Sequence, residues 1–134
     1  MTFQLDAVLE RDTFEVRKLA LSHVLVMNDA RYPWIILVPA RADLTEIHDL
    51  DPQDQQVLMA EMMQISTALE GLYKPEKINI GALGNIVSQL HIHIIARFED
   101  DPAWPGPVWG HSAAEPYAPG ALEKVRAKLL GAVA

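Results

Sequence analysis

The chain contains no cysteine. That excludes a disulfide framework and a thiolate metal site, and it fits a reducing, cytoplasmic setting. Positive charge is also scarce: 11 Lys and Arg stand against 18 Asp and Glu, for a net charge of −7. A broad, sequence-independent nucleic-acid surface needs a basic footprint, so a nucleic-acid polymer is not an expected partner. A small anionic ligand held by a few local donors is compatible with this balance. No apolar run approaches the ~18 residues of a membrane span. Met1 to Asp6 has no basic stretch leading into an apolar core, so no signal peptide is expected. Internal repeats and low-complexity tracts are missing too. What remains is half hydrophobic and 22% charged, an ordinary globular composition in 134 residues. That length suits one domain burying about two-thirds of its unfolded surface.

The most informative stretch is Gln89-Leu90-His91-Ile92-His93-Ile94-Ile95. Polar and aliphatic residues alternate with the period of a half-buried strand. Leu90, Ile92 and Ile94 would face a core, while Gln89, His91 and His93 share the other face, about 7 Å from one to the next. Two imidazoles and a carboxamide in register suggest a reaction centre; two solvated histidines on a surface strand are the bland alternative.

Around it, Thr13 to Arg17 alternates briefly and reads as an edge strand. Leu21 to Met27 ends at the turn signal Asn28-Asp29, and Trp34 to Val38 is wholly apolar before Pro39, so the two form a hairpin with the second strand inside the sheet. Asp51 can cap a helix, Pro52 suits its first position, and Asp54 sits where a capping-box acid belongs. Leu58, Met62, Ile65, Leu69 and Leu72 make one apolar stripe, and Gly71 and Lys74-Pro75 close a rod of about 33 Å. Met59, Met62 and Met63 read as packing. Ile78 to Gly81 is a further strand. Five of the nine prolines lie between 102 and 119, so Pro102 to Gly120 is expected to be an extended arm carrying Trp104, Trp109 and Tyr117. Ala121 to Leu130 reads as a short C-terminal helix. Strands, one long helix and strands again imply an α+β fold with an antiparallel sheet, in a single domain over 1–134.

The Gln89 stretch resembles the motif of the histidine triad (HIT) superfamily of nucleotide hydrolases and transferases, His-φ-His-φ-His-φ-φ with φ apolar. Gln89 stands at the first histidine, and the resemblance runs from about Val24 to Arg97, more loosely to Trp109. It implies a HIT-like fold and a nucleotide or nucleoside phosphate substrate, such as a phosphoramidate. His91 would be the nucleophile that attacks an α-phosphorus, and His93 would donate to a phosphate oxygen or carry developing charge. Gln89 could hold a phosphate or leaving oxygen but cannot deliver a proton. Trp34 occupies a position where many members have another histidine, and hydrophobic packing is its plainer role. Asn28 (with Asp29 beside it), Asn79 and Asn85 match substrate-contacting positions, each with a turn-chemistry alternative. A two-fold homodimer is implied as well, with Trp109 and its arm packed either on their own subunit or near the partner's pocket. A catalytically weak nucleotide-binding module is the alternative.

His-x-His on a strand is also metal-ligand spacing. Gly84, His91, His93, Glu99 and Gly106 approach the cupin pattern, but the intervals are longer and cupins are built almost entirely of strands. His23, His48 and His111 stand in unrelated contexts and supply no clear third ligand. A metal-dependent enzyme is therefore the minor reading, and neither a metal nor another cofactor is expected.

Overall fold

A computed structural model describes residues 2–133. Five strands form one antiparallel sheet in the order β1-β2-β3-β5-β4: β1 (Thr13–Lys18), β2 (Ser22–Met27), β3 (Trp34–Pro39), β4 (Lys77–Gly81) and β5 (Ile92–Arg97). The fold is α+β, as the sequence implies. Its wholly apolar run, β3, sits at the centre and is buried along its full length. Thr13 to Lys18 is indeed an edge.

The alternation in each strand sorts side chains onto two faces. Ile35 and Leu37 of β3, with Ile92, Ile94 and Ala96 of β5, join the core beneath α2 (Pro52–Tyr73) and α3 (Ala121–Ala132). Trp34, Ile36, Val38 and Ile95 point the other way, into a second core closed by Leu9, Ala103 and Val108. Leu9 belongs to α1 (Ala7–Asp12), a six-residue helix too short for periodicity to show. Ala103 and Val108 belong to the arm, which packs on its own chain and contains neither helix nor strand between Pro102 and Gly120.

Helix α2 follows its apolar stripe, burying Leu58, Ile65 and Leu69, but its start differs from expectation. Asp51 makes no side-chain cap bond. Asp54 instead takes two bonds from Arg41, at 2.8 and 3.2 Å, because a bidentate guanidinium offers more than one main-chain donor. Gly71 lies inside the helix, and Lys74 ends it in a left-handed conformation with its N–H on Glu70 O. Glu61, buried mid-helix, accepts the main-chain N–H groups of Leu21 and Ser22 at 2.9 and 3.1 Å, which ties α2 to the β1–β2 turn. Among the described residues no helix is long and apolar enough to cross a membrane.

Candidate active site

The second face of the sheet carries a cavity of about 510 Å³. His91 and His93 stand at its floor, 6% and 8% exposed, with ring centroids 4.8 Å apart in an edge-to-face arrangement. His93 lies within β5, opposite Ile36 of β3, and His91 lies one residue before the strand begins. The His93 ring therefore sits on a rigid element, packed between Trp34 of β3 and Trp109 of the arm, with the His91 ring against its side.

Hydrogen bonds assign the proton on each ring. His91 Nδ1 is 2.7 Å from the main-chain carbonyl of Gln89. A carbonyl only accepts, so Nδ1 carries the hydrogen and the lone pair is left on Nε2. His93 is arranged the opposite way. Trp34 Nε1, a donor only, gives its hydrogen to His93 Nδ1 at 3.0 Å, so the proton of a neutral His93 sits on Nε2. Burial, and then the neighbouring His91, lower His93 from its ordinary 6.5 to about 3. With both rings neutral the floor thus offers one imidazole lone pair and one imidazole N–H.

That shift has a consequence for stability. Between its ordinary value and about 3, His93 takes up a proton in the unfolded chain but not in the fold. The stability it contributes is complete above pH 6.5 and is lost as pH falls toward 3. Urea melts between about pH 6.5 and 4.5 should show a loss approaching 1.4 kcal/mol per pH unit that His93→Asn removes. Parallel slopes for the two proteins would contradict the buried neutral imidazole.

The walls come from three segments distant in sequence. Val8, Leu9 and Asp12 of α1 form one, Leu83 to Val87 another, and Val108, Trp109, Gly110, Ser112 and Ala114 of the arm the third. Trp109 stacks edge-to-face on His93 with centroids 5.4 Å apart. Its approach requires Gly81, since a Cβ there would stand 2.9 Å from Trp109 Cη2. Two acids, Asp12 and Asp29, line the cavity, and no Lys or Arg does among the described residues. Each acid is held by an adjacent arginine: Arg11 on Asp12 at 2.7 and 3.0 Å, Arg31 on Asp29 at 3.0 and 2.9 Å. Arg31 also donates to Ser112 Oγ and to the carbonyl of Ala113, fastening the arm across the β2–β3 turn.

Of the residues singled out in the sequence, the cavity brings together His91, His93, Asn85, Trp109 and Trp34. Three others are placed elsewhere. Gln89 Oε1 accepts from the main-chain N–H of Asp6 at 2.8 Å, and its Nε2 donates to the carbonyl of Gln4 at 2.8 Å, so the amide serves the N-terminal segment. Asn28 Oδ1 accepts from the main-chain N–H of Tyr117 at 3.0 Å, and Asn79 Oδ1 accepts from Arg97 Nη1 at 2.8 Å. Neither asparagine lines the cavity; Asp29, beside Asn28, does. Trp34 turns out to be more than packing, since its indole N–H sets the His93 tautomer. The α1 wall and Ser112 went unread in the sequence. Asp6 at the cap of α1 was a usable signal for the former, whereas nothing local marks Ser112. Among the described residues no group of three or more His, Cys, Asp or Glu could hold a metal ion, so the metal reading gains no third ligand.

Known proteins share this fold. The family model for the HIT domain matches residues 8–100. A histidine triad protein from Sinorhizobium meliloti is 49% identical, with 97% of this chain and 96% of that one covered and a TM-score of 0.94. Histidine triad proteins from Bradyrhizobium japonicum and Marinobacter aquaeolei are 43% and 42% identical over the whole of both chains, with TM-scores of 0.97 and 0.96. None of the curated proteins compared with the chain matches it.

Proposed function

The chain belongs to the HIT family, generally one of nucleotide-binding hydrolases and transferases, and we propose that it cleaves a nucleoside phosphoramidate or related phosphoanhydride at the α-phosphorus. The observation that carries this reading is the His91 Nδ1–H bond to Gln89 O, which leaves Nε2 free to attack. Attack forms the Nε2–P bond of a nucleotidyl-histidine as the P–N or P–O bond to the leaving group breaks, the leaving group taking its proton from solvent. Water then attacks phosphorus, releases His91 and yields the nucleoside monophosphate. His93 Nε2–H donates to a phosphate oxygen as charge develops, and Trp34 keeps that hydrogen in place. Asn85 binds the phosphate, Asp29 takes the ribose role expected near Asn28, and Trp109 packs on the nucleoside. Catalysis uses no cofactor, and the setting is cytoplasmic.

Turnover of adenosine, guanosine and uridine phosphoramidates, unaffected by chelator, is the expected result. No turnover across that panel would overturn the reading. One observation favours a binding module instead: neither the Gln89 amide nor the Trp34 N–H can deliver a proton to a leaving group. Calorimetric binding of AMP, GMP or UMP without turnover would identify that case.

The same reading includes a homodimer of about 30 kDa, twice the 14.9 kDa chain. β4 is an edge strand with Ile80 exposed, and α2 exposes Met59 and Met63. Sedimentation at micromolar concentration should find the dimer, and a clean monomer would exclude it.

A further inference from the structure

Gln89 is the residue at which this chain departs from the family motif, and its side chain is fully engaged away from the histidines. Its amide meets the main chain at Gln4 and Asp6 as a neighbouring strand would, accepting from one residue and donating to the next but one, both at 2.8 Å. A carboxamide carries an acceptor and a donor on one planar group, as an ionised carboxylate does not. Asp6 in turn accepts the Val8 N–H at 2.8 Å and caps α1. Val8, Leu9 and Asp12 of that helix are a wall of the cavity. Meanwhile the main-chain carbonyl of Gln89 holds His91 Nδ1. Six residues cannot sustain a helix alone, and Leu9 is the one buried residue of α1, so the wall depends on how its ends are tied.

We propose that Gln89 is a positioning residue, a latch whose amide fixes the N-terminal segment and thereby the α1 wall against the segment before β5 that carries the nucleophile. This rests on the function proposed above only for what the cavity binds. Gln89 then governs how well the nucleotide is held, whereas the chemical step belongs to His91 and His93.

The test compares the intact protein with Gln89→Ala and Gln89→Glu, the latter keeping the acceptor and losing the donor. In Gln89→Ala hydrogen exchange should be at least about tenfold faster at the Asp6, Val8 and Glu10 amides, with β5 amides unchanged, and Gln89→Glu, which keeps the acceptor for the Asp6 N–H, should show a smaller rise. AMP affinity by calorimetry should fall at least about fivefold, and the loss in kcat/KM should be carried mainly by KM. Asp6→Pro provides an independent arm. Asp6 has φ −55, which proline adopts, so the substitution deletes the N–H bonded to Gln89 along with the cap. Asp6→Ala, which loses the cap alone, is its control. Asp6→Pro should weaken AMP binding beyond Asp6→Ala. Unchanged exchange at Asp6 in Gln89→Ala, or a fall in kcat with affinity intact, would overturn the latch. A wild-type chain that binds and turns over no nucleotide would sink the proposed function, and the exchange data alone would then decide the latch.

Discussion

His91→Ala is expected to lower turnover of a nucleoside phosphoramidate by at least about 10⁴-fold while the fold stays intact. The size follows from the role. In the proposed reaction His91 supplies the atom that bonds to phosphorus, and no other lone pair at the cavity floor replaces it: His93 Nδ1 is occupied by Trp34 and its Nε2 bears the hydrogen. Nucleotide affinity should change far less, because the walls come from α1, the 83–87 loop and the arm. His91→Gln restores a polar side chain of similar reach but no nucleophile, and should be as inactive. Residual turnover within about tenfold of wild type would assign the attack to another group or directly to water.

Arg97→Ala carries the largest expected cost to stability. Arg97 is on the same face of β5 as the histidines, and its side chain is 2% exposed beside an Asp101 side chain 3% exposed. It donates to both Asp101 oxygens at 2.7 and 3.0 Å, to Asn79 Oδ1 at 2.8 Å and to Gly106 O at 2.8 Å. Tyr32 and Trp104 flank its guanidinium at 5.9 and 5.8 Å. Burial alone would raise the Asp101 carboxyl; the bonds from Arg97 and from the Phe98 and Trp104 N–H groups outweigh it and hold the group below its ordinary value. Removing Arg97 leaves that carboxylate buried without its counter-charge, which costs about 3–5 kcal/mol. Arg97→Lys should recover only part of this, since a single ammonium cannot make the forked contact. The exposed pair of Arg41 and Asp54 is the control, and Arg41→Ala should cost about 1 kcal/mol or less. Urea melts of the three variants measure the order. Equal losses for Arg97→Ala and Arg41→Ala would show that the network does not anchor the arm.

The elements legible in the sequence were those whose burial repeats. The apolar run of β3, the alternation of β5 and the stripe of α2 each report one face against a core; β3 and α2 lie where expected, and β5 begins three residues later, at Ile92. Alternation also misled at one point. It placed Gln89 beside the histidines, but the strand pairing begins at Ile92, and the Leu90 N–H goes to Leu44 O. With no strand at position 89, period two no longer dictates where its side chain points, and the amide turns to the N-terminal segment. Asn28 and Asn79 were of the right residue type, yet their partners are Tyr117 and Arg97, 89 and 18 positions away. Such distant pairings leave no mark in local composition. Trp34 shows the same limit, because its hydrophobicity was visible and the partner of its N–H was not. The arm, open between its own chain and a partner from sequence, lies on its own chain because Arg31, Asn28 and Arg97 bond to it at separate points.

The central claim is that His91 Nε2 forms a bond to phosphorus. Protein quenched in acid-free denaturant during turnover of an adenosine phosphoramidate, digested and weighed by mass spectrometry, tests it most directly. One adenylyl group on the peptide containing His91, released by mild acid and missing from His91→Ala, is the result this account predicts. Full turnover with no adduct at any quench time, or an adduct on a peptide without His91, would contradict it.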